Sequence, residues 1–178
     1  MPDTSPHAVD PASGRPRAPA QVIVGASGRP AELLLIEDNE GDVLLAREAL
    51  RGAKIRNALA VAGTGEAALS MLRREGPHAG RPRPDLILLD LNLPRISGRQ
   101  VLDAIKADRD LRQIPVIALA SSQADVDYLK SDGLDVDGYA AKPIDFDSLA
   151  AIVASIESLW FLVAVQAAAS APEQAHAR

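Results

Sequence analysis

The chain has no cysteine, which removes disulfide frameworks, thiolate zinc sites and cysteine nucleophiles together. Histidine is nearly as scarce. His7, His78 and His176 stand far apart in tail-like or loop-like sequence, so neither a histidine metal cluster nor a histidine-based triad is expected. There is no surplus of positive charge: 19 Lys and Arg against 24 Asp and Glu leave a net charge of -5 and a pI near 5.2. That sign argues against a DNA partner held through phosphate contacts. Long apolar runs are missing too. The longest late one, residues 159–165 (LWFLVAV), falls far short of the roughly 20 residues that span a bilayer. The N-terminus has no basic region followed by an apolar core. The expectation is a soluble, cytoplasmic protein with no membrane attachment.

What is present is enough apolar material for one domain, 47% of 178 residues. Residues 1–30 are rich in Pro, Ala, Gly, Ser and Arg and read as a mostly disordered leader, with VIV at 22–24 its one strand-like fragment. From Glu32 onward the pattern alternates. ELLLI, IRNALAVA, LILLD, PVIALA and DGYAAKP read as strands. Between and after them, GDVLLAREALRG, a Thr64-capped EAALSMLRRE, GRQVLDAIKADRD, QADVDYLKSDG and DFDSLAAIVASIESLW read as helices. Five strands alternating with five helices predict a doubly wound α/β fold on a five-stranded parallel sheet, over residues 31–158. Residues 159–178 are expected to extend the last helix and end in a tail.

Sheets of this kind bind ligands at the carboxyl ends of their strands. The residues standing there are Glu37, Asp38 and Asn39 after the first strand, and Asp90 and Asn92 after the third. Ala120, Ser121 and Ser122 follow the fourth, and Lys142 and Pro143 end the fifth. Asp90 is the odd one, a carboxylate closing an otherwise apolar run in LILLDLNLPRISG. A lone Asp after a strand is ordinarily a helix cap. Three carboxylates and an ammonium converging on one sheet edge are a different matter. Crowded carboxylates repel one another unless a hard cation joins them, and an all-oxygen donor set predicts Mg²⁺ or Mn²⁺. An Asp beside such an ion and a lysine is a competent nucleophile toward phosphorus, which makes Asp90 a candidate phosphate acceptor.

LLLIEDN, LILLDLNLPRISG, PVIALAS and DGYAAKP together resemble the receiver domains of bacterial two-component response regulators, with a flavodoxin-like fold, from about Leu33 to Ser158. IEDNEGDVLL, SSQADVDYLKS and SIESLWF look closest to the single-domain regulators that partner phytochrome-type histidine kinases. The resemblance implies that Asp90 takes phosphoryl from a kinase phosphohistidine. It implies that Asp38 and Asp90 ligate the metal, that Glu37 acts through water, and that Asn92 offers its backbone carbonyl. Lys142 would contact the phosphoryl group, the Lys142–Pro143 peptide would be cis, and Tyr139 would be an aromatic switch. Such a protein is not an enzyme but a phosphoacceptor that assists its own phosphorylation and dephosphorylation. Its output runs through protein contacts.

One position departs from the family pattern. Ala120 stands where the family has a Thr or Ser whose hydroxyl bonds the phosphoryl group. Either the strand end shifts so that Ser121 substitutes, or the hydroxyl is missing and the switch weakens. The alternative reading is therefore a receiver-fold interaction module that no longer needs phosphate. An aspartate-nucleophile phosphatase ranks below both, because Asn92 stands where that class has its general acid. Finally, the run around Trp160 and Phe161 is apolar all round, and one packed face cannot bury it. A homodimer through these residues is expected, as the phytochrome-partner resemblance also implies.

Overall fold

The five apolar runs lie side by side as one parallel sheet. The computed structural model describes residues 21–23, 31–52, 57–155 and 163–165. In chain order the strands are β1 (Gln21–Ile23), β2 (Ala31–Ile36), β3 (Asn57–Ala62), β4 (Leu86–Asp90), β5 (Val116–Ala120), β6 (Gly138–Ala141) and β7 (Val163–Val165). The helices are α1 (Glu40–Gly52), α2 (Gly65–Arg73), α3 (Gly98–Ala107), α4 (Gln123–Ser131) and α5 (Phe146–Ser155). The main sheet has the order β3-β2-β4-β5-β6, all parallel, the flavodoxin-like arrangement the alternation predicts. Among the described residues no helix is long and apolar enough to cross a membrane.

β4 and β5 are buried at every position, as strands covered by helices on both faces must be. Their two-residue period divides the core. Leu33, Leu35, Leu86, Leu88, Ile117 and Leu119 pack with Ala46 and Leu50 of α1 and Leu149 and Val153 of α5. Leu34, Ile36, Ile87, Leu89, Val116 and Ala118 pack with Ala68 and Leu72 of α2 and Val101, Leu102 and Ile105 of α3. β3 and β4 lie on opposite sides of β2, so the winding reverses there, and the carboxyl ends of β2 and β4 open a crevice.

Short polar side chains start the helices on that same edge. Thr64 accepts from the Ala67 N–H, Ser97 and Gln100 form a reciprocal capping box, and Ser122 accepts from the Asp125 N–H. Each such cap contributes about 0.5–2 kcal/mol.

The termini depart from expectation. Within the segment expected to be a disordered leader, Gln21–Ile23 is a strand. Within the segment expected to continue the last helix, Val163–Val165 is also a strand. They pair antiparallel, Gln21 opposite Val165 and Ile23 opposite Val163. Each segment carries two β-branched residues, Val22 and Ile23 in one and Val163 and Val165 in the other, and each supplies the other with a ladder and apolar neighbours. Trp160 and Phe161, the expected dimer residues, lie outside the described residues. α3 ends at Ala107, short of the expected Asp110, and Asp108 caps it.

The β4–α3 connection is tight. The Gly98 N–H donates to the Leu91 carbonyl at 3.1 Å. A β-carbon on Gly98 would stand 2.2 Å from the Asp90 carbonyl oxygen and 2.6 Å from the Leu91 α-carbon. Both obstacles are backbone and cannot swing aside. Gly98→Ala is therefore expected to cost about 2 kcal/mol or more in urea unfolding. A change within 0.5 kcal/mol would show that the loop has slack.

Candidate functional site

The crevice is built from strand ends outward. Glu37 directly follows β2, and Asp90 is the last residue of β4. Each is only 2% exposed, and they are the two buried charged residues among those described. Burying carboxylates is unfavourable unless they are paired and hydrogen-bonded. Lys142, just past β6, supplies the pairing. Its Nζ donates to Glu37 Oε2 at 3.0 Å and to Asp90 Oδ2 at 2.9 Å. The remaining oxygens are held by backbone: Glu37 Oε1 accepts from the Asn39 N–H at 3.0 Å, and Asp90 Oδ1 from the Asn92 N–H at 2.9 Å.

Lys142 has a third carboxylate partner, Asp42 Oδ2 at 2.8 Å. Asp42 sits in the first turn of α1, where Asn39 Oδ1 accepts from the Gly41 and Asp42 N–H groups and so fixes the helix start. Burial alone would push the Lys142 ammonium toward its neutral form. Hydrogen bonds to Asp42, Asp90 and Glu37 outweigh it and hold Lys142 above the ordinary lysine value. Burial raises the Glu37 carboxyl above its usual value, against the opposing hydrogen bonds from Asn39 and Lys142.

Asp38, the next residue, is exposed to solvent. Carboxylate oxygens of Glu37, Asp38 and Asp90 nevertheless all lie within 4.8 Å of one another. That set, all hard oxygen and open on one side, fits Mg²⁺ or Mn²⁺, which keep several waters.

The positions expected to form a switch lie one strand over. Ala120 is the last residue of β5 and is buried, and its carbonyl accepts from the Lys142 N–H at 2.8 Å. Ser121 is the first residue beyond the strand and is exposed. Tyr139, opposite Ala118 in β6, is half-buried and donates from its hydroxyl to the Leu134 carbonyl at 2.9 Å. Burial raises its pKa. The Lys142–Pro143 peptide is cis. The structure thus gathers Glu37, Asp38, Asp90 and Lys142 into one cluster, with Asn92 attached through its N–H. Sequence reasoning missed Asp42 and the capping role of Asn39. Asp42 carries no local signal: it sits in the first turn of α1, and its lysine partner arrives from beyond β6.

A flavodoxin-like sheet with an acidic pair after its first strand, an Asp closing its third and a Lys closing its last defines a phosphoacceptor receiver. The chain matches the response regulator receiver domain over residues 33–154 and belongs to that family. It is 42% identical over 105 residues to the response regulator Rcp1 of Synechocystis, covering 59% of this chain and 71% of Rcp1. The Mn²⁺-bound crystal structure of Rcp1 superposes with a TM-score of 0.58, over 74% of this chain and 95% of that one. The bacteriophytochrome response regulator AtBRR has 34% identity and a TM-score of 0.68, over 74% and 96%. The phosphorylated cyanobacterial phytochrome response regulator RcpA has 40% identity and a TM-score of 0.59, over 74% and 94%.

The electrostatic role of Lys142 has a measurable sign. Lys142→Met would leave two buried carboxylates without their counter-charge, a loss of about 3 kcal/mol near neutral pH. Without that charge Glu37 is driven further above its unfolded value. A raised carboxyl binds more protons folded than unfolded, so stability falls as pH rises through the window between the two values. The deficit of the variant is therefore expected to shrink from about pH 7.5 to about pH 5 in urea unfolding. An equal deficit at both pH values would mean that the lysine acts through packing.

Proposed function

We propose that this chain is a phosphorylated receiver in which Asp90 takes a phosphoryl group from a histidine kinase. The observation that carries the reading is the state of Asp90. It closes a buried strand, and its two oxygens are oriented by the Asn92 N–H and the Lys142 ammonium. Positioning and charge neutralisation do most of the work in phosphoryl transfer.

In the proposed step one Asp90 carboxylate oxygen forms a bond to phosphorus. The bond from phosphorus to the imidazole nitrogen of the kinase phosphohistidine breaks, and the imidazole leaves with the electron pair and takes up a proton. Lys142 stays beside the acceptor and pairs with the new phosphoryl oxygens. Asp38 and Asp90 are the proposed direct metal ligands, with the Asn92 carbonyl. Both oxygens of Glu37 already have protein partners, which supports a water-mediated role for it. Bound there, Mg²⁺ supplies charge neutralisation for the carboxylates and the incoming phosphoryl group.

Receiver domains of this family take their signal from histidine kinases. The phytochrome regulators among the relatives support a phytochrome-type kinase as the partner, and a cytoplasmic location is proposed with it. Output is proposed to run through protein contacts, with a second copy of the chain meeting the apolar run around Trp160 and Phe161. One observation favours a second reading, a module that no longer uses phosphate: the buried methyl of Ala120 stands where a hydroxyl would meet the phosphoryl group.

Acetyl phosphate with Mg²⁺ separates the two readings. Intact mass is expected to rise by one phosphate. Asp90→Asn or removal of Mg²⁺ with a chelator is expected to abolish the rise. Equal labelling of Asp90→Asn would contradict the assignment, and a folded chain that never labels would favour the phosphate-independent module.

A further inference from the structure

The Lys142 ammonium has three donors, and three carboxylates take them: Glu37, Asp90 and Asp42. A phosphoryl group on Asp90 brings further acceptor oxygens beside that ammonium, and they compete with the carboxylates for its donors. Asp90 is the attachment point itself. The Glu37 side chain is 1% exposed, so releasing it would leave a buried carboxylate without its counter-charge. The Asp42 side chain is 29% exposed and stands at the open side of the crevice, on the first turn of α1. Releasing Asp42 into solvent therefore costs least.

Asp42 is also close to the reacting group. One ammonium bonds both Asp42 Oδ2 and Asp90 Oδ2, so the two oxygens are no more than two hydrogen-bond lengths apart. Its own N–H is pinned by Asn39 Oδ1, which holds the residue at that spot. Asp42 lies outside the cluster of Glu37, Asp38 and Asp90 that fits the metal, so a bound cation does not take over its charge directly.

We propose that Asp42 is a positioning residue that competes with the phosphoryl group for Lys142 and sets how readily Asp90 is phosphorylated. In the resting state it draws the ammonium toward α1 and presents a fixed negative charge to an anionic phosphodonor. Both effects act in one direction, against the phosphorylated state. This inference rests on Asp90 being the acceptor.

The test compares wild type with Asp42→Asn, Asp42→Ser and Asp42→Glu, with Asp90→Asn as the control. Two quantities are read: the initial rate of labelling by acetyl phosphate with Mg²⁺, and the affinity for beryllofluoride by NMR titration. Asp42→Asn and Asp42→Ser are expected to label about three- to tenfold faster and to bind beryllofluoride tighter by a similar factor. Asp42→Glu, which restores the charge, is expected to return the slower rate. The advantage of Asp42→Asn should shrink as NaCl is raised, because salt screens repulsion but not a packing change. Labelling that depends on Asp90 but is equal or slower in both neutral variants would overturn the inference and leave the acceptor assignment standing. Labelling that survives Asp90→Asn would overturn both.

Discussion

The site depends on one ammonium placed between two carboxylates that the fold has removed from water. Glu37 and Asp90 are each 2% exposed and share Lys142 across distances of 3.0 and 2.9 Å. Burying either carboxylate alone would be costly, and their hydrogen bonds in turn hold Lys142 in its charged form against burial. The arrangement is stable enough to persist in the resting chain. It is also excess negative charge waiting for a cation, since Asp38 and Asp42 add two further carboxylates at the open side. The same electrostatic imbalance that would penalise an ordinary core makes the crevice receptive to a divalent ion and then to a phosphoryl group.

The rest of the fold serves that placement. Parallel strands put the ends of β2, β4 and β6 on one edge, and the reversal of winding at β2 keeps a helix from closing the gap between β2 and β4. Hydrogen-bonded helix starts then fix the loops: Asn39 at α1, and Ser97 with Gln100 at α3. The β4–α3 connection has room for a hydrogen and nothing larger at Gly98, so the Asp90 backbone cannot drift. On the far side of β5 the Tyr139 hydroxyl is tied to the Leu134 carbonyl. Ala120 contributes a buried methyl at the end of β5.

The sheet and most of the site were legible because they obey local rules. An apolar run ending in a polar residue marks a strand and its carboxyl end together, so Glu37, Asp90 and Lys142 could be placed from pattern alone. Thr64 announced its helix as a capping residue. Asp42 was hidden because an acidic residue in a helical first turn is ordinarily explained by the helix dipole. Nothing local distinguishes it until β6 brings Lys142 across. Gly98 read as the first residue of a helix, whereas its requirement comes from the approach of the Asp90 carbonyl. β1 and β7 were missed at longer range. QVI and VAV are each too short to declare a strand, and their pairing joins the two ends of the chain. Apolar residues on every side of residues 159–165 suit a helix or a strand equally well by pattern.

Asp90, its oxygens held by Lys142 and the Asn92 N–H, is the proposed carrier of phosphate. The most direct measurement is borohydride reduction of the phosphorylated chain followed by peptide mapping, because hydride converts an aspartyl phosphate to homoserine and leaves ordinary carboxylates alone. The account predicts a single homoserine, at position 90. Conversion at position 38 or 42, or phosphate retained on a serine with no conversion at all, would contradict it.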